Sequence, residues 1–177
     1  MSCVLPGLRP PTGSSDRLRF VKRVVVFGRG GAGKSTLSRR LGDATGIPVV
    51  ELDKLYWDDT LQALSSEEWG NRQSAIVAVD SWILDGDLGP LDVTEPRLSR
   101  ADTVVIVDTP LVTCIRRALG RGRQRLDFWV WVLTWGMKYR PRILADVRLH
   151  APSAAVIVLS SEGDVERWLA SVGPDRH

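Results

Sequence analysis

Gly28-Arg29-Gly30-Gly31-Ala32-Gly33-Lys34-Ser35-Thr36 meets the pattern G-x-x-x-x-G-K-[ST] at every fixed position. Ahead of it, Arg23-Val24-Val25-Val26-Phe27 is apolar enough for a buried parallel strand. Behind it, Leu37-Ser38-Arg39-Arg40-Leu41 sets Leu37 and Leu41 on one helical face. A glycine-rich turn between such elements lets successive backbone N–H groups face inward around a phosphate, and the helix that follows adds the positive end of its dipole. Residues Gly28, Arg29, Gly30, Gly31, Ala32, Gly33, Lys34, Ser35 and Thr36 are therefore expected to hold the phosphates of a nucleotide. Lys34 is the point charge for the β- and γ-phosphates, and the Ser35 hydroxyl is a ligand for Mg²⁺. ATP with Mg²⁺ is the expected ligand pair.

Working outward, Gly46 reads as a helix C-cap and Ile47-Pro48-Val49-Val50-Glu51-Leu52-Asp53 as a short second strand, with Pro48 tolerable at its start. Ser65-Ser66-Glu67-Glu68 has capping-box spacing and opens a helix with Trp69, Ile76 and Val79 near one face. Ser81-Trp82-Ile83-Leu84-Asp85 reads as a third strand, and a helical turn falls around Pro96-Arg97-Leu98. Thr103-Val104-Val105-Ile106-Val107-Asp108 is apolar, as a strand covered on both faces should be. Leu111 to Leu119 reads as helix, Ala154 to Leu159 as a fifth strand, and Glu162 to Ala170 as a last helix. Strands alternating with helices predict a parallel α/β sheet with right-handed crossovers.

The 177 residues are one domain's worth of chain, and 44% hydrophobic with 25% charged content is ordinary for a globular protein. A net charge of +3 does not by itself imply a nucleic-acid partner. Cys3 and Cys114 lie far apart, without metal-ligand spacing or a disulfide framework, and read as reduced thiols. No apolar run approaches the ~20 residues of a membrane span. Residues 1–19, with Pro6, Pro10, Pro11, Gly13, Ser14 and Ser15, lack the basic-then-apolar order of a signal peptide and are expected to be a disordered lead-in to a domain over 20–177. A cytoplasmic location is the expectation.

Four signals now stand in order: Gly28 to Thr36, Asp53 closing the second strand, Trp82-Ile83-Leu84-Asp85-Gly86 on the third, and Arg97-Leu98-Ser99-Arg100-Ala101-Asp102-Thr103-Val104-Val105 entering the fourth. With the basic segment from Arg116 to Arg125, this set resembles the adenylate-kinase-related P-loop NTPases. Within them it is most similar to the group described as DNA topology modulation, or FlaR-like, proteins. The resemblance spans about Val21 to Leu169. It implies a three-layer α/β/α sandwich of the nucleoside-monophosphate-kinase type: a five-stranded parallel sheet, the P-loop strand at its centre, and a phosphotransferase site at the carboxyl ends of the strands. One departure is a shortened lid. Only Gly120 to about Asp127 is available for it, and a short lid excludes water less well.

Phosphoryl transfer needs positioning and charge neutralisation more than covalent chemistry. Asp85 ends a strand expected beside the P-loop strand, where it either joins Ser35 in holding Mg²⁺ or forms an Asp-Gly turn with Gly86; the resemblance matches it to the acidic position of the family's Asp-Gly pair. Asp53, at another strand end, either accepts the proton of an acceptor hydroxyl or caps the next segment. The resemblance places Arg97 at the acceptor's anionic group. Of the cluster Arg116, Arg117, Arg121, Arg123 and Arg125, Arg121 and Arg125 are the chosen partners of the transferred phosphoryl group, because arginine offers forked donors and a fixed charge. Phe128 to Trp135 reads as core packing, while Tyr56 and Trp57 either stack a base or cover the core. The leading function is an ATP-dependent kinase acting on a nucleotide or other small acceptor. The alternative is a nucleotide-binding regulator of the DNA topology modulation type with little or no transfer. Direct nucleic-acid binding through Arg116 to Arg125 with Lys138, Arg140 and Arg142 is a minor expectation, no membrane partner is expected, and the oligomeric state stays open.

Overall fold

A computed structural model describes residues 21–56, 62–120, 122 and 126–172. The segment expected to be disordered, 1–19, lies outside them. Five strands form one parallel sheet: β1 (Arg23–Gly28), β2 (Val49–Glu51), β3 (Trp82–Asp85), β4 (Thr103–Val107) and β5 (Ala155–Leu159). Their spatial order is β2-β3-β1-β4-β5, so the strand that feeds the glycine-rich loop is central. The helices are α1 (Lys34–Thr45), α2 (Leu52–Leu55), α3 (Ser66–Ile76), α4 (Glu95–Leu98), α5 (Leu111–Leu119), α6 (Leu126–His150) and α7 (Glu162–Val172). This is the three-layer α/β/α arrangement of a P-loop kinase.

The period-2 alternation of the strands divides the core in two. Val25, Phe27, Trp82, Leu84, Val104 and Ile106 face Trp69 of α3, Leu98 of α4 and Trp135, Ile143, Leu144 and Val147 of α6. Val24, Val26, Ile83, Val105 and Val107 face Leu37 and Leu41 of α1, Cys114 of α5 and Trp168, Leu169 and Val172 of α7. Gly46 ends α1 in the left-handed conformation (φ 74°), donating its N–H to the Gly42 carbonyl. The capping box on α3 is complete: Ser65 accepts from the Glu68 amide and Glu68 returns a bond to the Ser65 amide. Among the described residues no helix is long and apolar enough to cross a membrane.

Three expectations need correction. Strand β2 stops at Glu51, because Leu52 turns fully into the core, and Asp53 therefore sits in the helical turn α2. Val79 is 55% exposed rather than on the apolar face, since α3 ends at Ile76 and Val79 lies beyond its last turn. The stretch Phe128 to Trp135, read as core packing, is only partly so; it lies in the first half of the 25-residue α6, which continues through Pro141. Val132 and Trp135 are buried as expected, whereas Val130 and Leu133 face outward.

Candidate functional site

The carboxyl ends of β1 and β3 lie side by side, with Val26 paired to Asp85 and Glu51 of β2 paired to Asp85 on the other side. Open α/β sheets bind ligands at this edge. Gly33 initiates α1 with φ 102°, a left-handed conformation that glycine adopts without strain, and no side chain caps the helix. The first-turn amides of α1 thus meet the loop Gly28 to Gly33 as an anion cradle. Lys34, at the first helical position, folds back over the loop. Its Nζ donates to the Gly28 carbonyl at 2.7 Å and to the Arg29 carbonyl at 3.3 Å.

The Ser35 hydroxyl lies near enough to Asp85 to favour its ionised form. Asp85 is only 4% exposed, and its Oδ1 is buried without a hydrogen-bond partner. Burial pushes this carboxyl above the ordinary range, while Ser35 and Lys34 pull it down. An orphaned carboxylate oxygen beside a hydroxyl is a donor set that suits Mg²⁺, which takes oxygen ligands and keeps several waters. The residues present therefore fit the metal.

Asp53 reaches the same edge from α2: a Cβ built on Gly86 would lie 3.3 Å from its Oδ1. The side chain keeps an exposed face, yet the protein packed around it withdraws enough water to push its carboxyl up. Lys34 opposes that shift, and Asp85 and Asp87 reinforce it. Asp87 is buried, and it accepts from Trp135 Nε1 at 2.8 Å and from the Gly89 amide at 2.9 Å. Burial raises its carboxyl as well, against the pull of the Trp135 bond and Lys34. The charge of Lys34 thus favours the ionised form of all three carboxyl groups.

A second group of charges sits on the β4 side of the loop. Arg29, nearly buried, lies 3.7 Å from Asp108 and 5.3 Å over the ring of Trp135. Asp108 also pairs with Arg140 of α6 at 3.1 Å. Asp87 and Asp108 carry no role in the sequence reading, and Arg140 enters it only as part of a basic stripe. The two acids end strands or follow them directly, which was a usable signal; the partnership of Arg140 with a residue 32 positions away was not.

On the far side of the loop, between α1, α5 and α7, is a cavity of about 580 Å³. Gly33, Thr36, Thr109, Arg117, Ser160 and Ser161 are among its lining residues. Thr109 Oγ1 and Arg117 Nη1 both donate to the Ala32 carbonyl, at 2.9 and 3.3 Å, and so tie this wall to the phosphate loop. Glu162 closes the rim, 3.7 Å from both Arg40 and Arg117.

Arg97 does not reach this edge. It is fully buried beneath it, bonded to Asp92 Oδ1 at 2.8 Å and Gln73 Oε1 at 2.6 Å, with its guanidinium 5.1 Å over Phe27. An acceptor's anion has no access to it there. Tyr56 is likewise in the core, edge-on to Trp69 at 5.4 Å. Arg121, Arg123, Arg125 and Trp57 lie outside the described residues.

No protein-family model and no curated sequence relative matches the chain. Solved structures do. A sugar kinase from Janibacter sp. aligns with 85% of this chain and 94% of its own, at 21% identity and a TM-score of 0.50. Shikimate kinase from Bacteroides thetaiotaomicron aligns over 85% and 96%, at 16% identity and a TM-score of 0.52. Shikimate kinase from Acinetobacter baumannii, solved with shikimate, aligns over 89% and 93%, at 16% identity and a TM-score of 0.52. The protein shares the fold of these P-loop kinases.

Proposed function

We propose that the protein is an ATP-dependent small-molecule kinase that transfers the γ-phosphoryl group to a hydroxyl of its acceptor. The observation that carries this reading is the convergence of Lys34, Ser35, Asp85 and Asp53 at the joined carboxyl ends of β1 and β3. The loop amides and Lys34 would hold the phosphates, and the 580 Å³ cavity would take the base and ribose against Thr109, Arg117, Ser160 and Ser161. Ser35 and Asp85 would hold Mg²⁺, which when bound draws charge from the β- and γ-phosphates. The acceptor oxygen attacks the γ-phosphorus, the bond to the β-bridging oxygen breaks to release ADP, and the acceptor's proton passes to the Asp53 carboxylate. Arg121 and Arg125 are assigned to the transferred group.

An alcohol acceptor is favoured over a nucleoside monophosphate because Asp53 lies at the site and Arg97 is enclosed by its own partners. A phosphate acceptor needs no base, whereas an alcohol benefits from one. The known acceptors of the structural neighbours, a sugar and shikimate by their names, agree with this choice. The test is calorimetry with Mg-ATP, followed by ADP release over a panel of polyols, hydroxy acids and nucleoside monophosphates. Binding of Mg-ATP with turnover on an alcohol is the expected result. Absence of binding at millimolar Mg-ATP would remove the kinase reading, and turnover on monophosphates alone would remove the alcohol.

A further inference from the structure

Trp131 spans the mouth of the cleft. One edge of its indole lies on Gly30 of the phosphate loop, where a built Cβ would come within 2.9 Å of the ring. The other edge lies on Gly89, beyond β3, where a Cβ would come within 3.1 Å of Nε1. Phe128, one turn earlier on α6, also rests on Gly30, at 2.6 Å from such a Cβ, and its ring lies 6.1 Å from that of Trp131. The indole face stands 5.6 Å from Lys34 Nζ. Glycine at both contact points is what lets the rings come this close.

Trp131 Nε1 is buried and has no hydrogen-bond partner among the described residues. Shape, not hydrogen bonding, therefore keeps this ring in place. Four residues on, Trp135 supplies the anchoring, through its bond to Asp87 and the Arg29 guanidinium over its ring. Phe128 and Trp131 thus cover the glycine-rich loop beside Lys34, and neither lines the nucleotide-sized cavity.

Any group that activates a γ-phosphate toward a hydroxyl also activates it toward water, and an apolar cover over the reacting atoms suppresses the second reaction. We propose that Phe128 and Trp131 form the water-excluding cover of the transfer site and decide whether the γ-phosphoryl group goes to the acceptor or is lost by hydrolysis. In the suppressed reaction a water oxygen attacks the γ-phosphorus, the bond to the β-bridging oxygen breaks, and ADP, inorganic phosphate and a proton are released. This inference rests on the kinase reading. It assigns to a described helix the water exclusion that a short lid is poorly suited to give.

The experiment measures ADP release from Mg-ATP by the full-length protein with no acceptor present, alongside calorimetric ATP affinity, for the wild type, Trp131→Ala, Trp131→Phe and Phe128→Ala. Trp131→Ala is expected to raise acceptor-free hydrolysis by about tenfold or more, with ATP affinity within about threefold of the wild type. Trp131→Phe, which keeps a ring on Gly30, is expected to restore the low rate. A folded Trp131→Ala that binds ATP and hydrolyses it no faster than the wild type would overturn the inference and leave the kinase reading intact. If Trp131→Ala does not fold, the same criterion applied to Phe128→Ala decides. Failure of the wild type to bind Mg-ATP would overturn the kinase reading, and with it the cover.

Discussion

Lys34 donates to the carbonyl of Gly28, the last residue of β1, at 2.7 Å. The ammonium is held over the loop by backbone oxygens, and the fold does not use it to pack the core. Lys34→Ala is therefore expected to abolish Mg-ATP binding by calorimetry while leaving the thermal unfolding midpoint essentially unchanged. A large drop in that midpoint, with ATP affinity retained, would show Lys34 to be structural.

Asp85 keeps one buried oxygen free beside Ser35. If that oxygen serves Mg²⁺, Asp85→Asn should raise the Mg²⁺ concentration needed for half-maximal ATP binding or turnover by about tenfold or more. An unchanged Mg²⁺ titration would return Asp85 to the turn it makes with Gly86.

Asp53 serves as a base only when ionised, and its carboxyl is held above the ordinary aspartate range, first by burial. Activity should therefore fall as pH is lowered, through a midpoint above the ~3.9 of a free aspartate. Asp53→Asn should reduce turnover by ~10²–10⁴ with ATP affinity nearly unchanged, and the residual rate should lose that acid limb. A full pH profile of both proteins at saturating ATP is the check.

Asp92 and Arg97 form a buried pair, at 3% and 0% side-chain exposure, that also engages Gln73 and the Trp69 indole. Removing one partner leaves the other charge alone in the core, so Asp92→Ala should destabilise the protein by about 3–5 kcal/mol in urea unfolding. Asp92 is also held below its ordinary value: burial alone would raise it, but Arg97 and its hydrogen bonds more than reverse that. A carboxyl depressed in the folded state contributes stability that is present above its unfolded value of ~3.9 and lost as pH falls through the folded one. Asp92→Ala should therefore flatten the acid side of the stability profile. An Asp92→Ala profile parallel to the wild type would place the acid sensitivity elsewhere.

How much of this was legible depends on the range over which each feature is encoded. The phosphate loop, β1 and α1 are adjacent in sequence and defined by local chemistry, and they were readable residue by residue. So were the capping box at Ser65 and the apolar β4, whose periodicity and caps are short-range signals. Asp53 was readable as a carboxylate at the sheet's edge but not as a helical residue, because the turn is made by Leu52 entering the core. Arg97 shows the opposite failure. Its spacing before β4 follows a nucleotide-kinase pattern, yet its partner Asp92 lies just upstream and Gln73 is brought to it by the packing of α3 on α4. The length of α6 was hidden by Gly136 and Pro141, both poor helix formers, whose preference is overridden by the burial of Trp135, Ile143, Leu144 and Val147.

Pro141 carries one consequence further. It has no amide hydrogen, so the Met137 carbonyl lacks its helical donor, although α6 runs on through it. The lower half is bolted to the sheet by Ile143, Leu144 and Val147; the upper half is tethered to the nucleotide loop through Trp135, Asp87 and Arg29. These two sets of contacts lie on either side of the turn of α6 that Pro141 deprives of a hydrogen bond. Substitutions on the loop side of Pro141 and on its sheet side should therefore add nearly independently in their effect on stability.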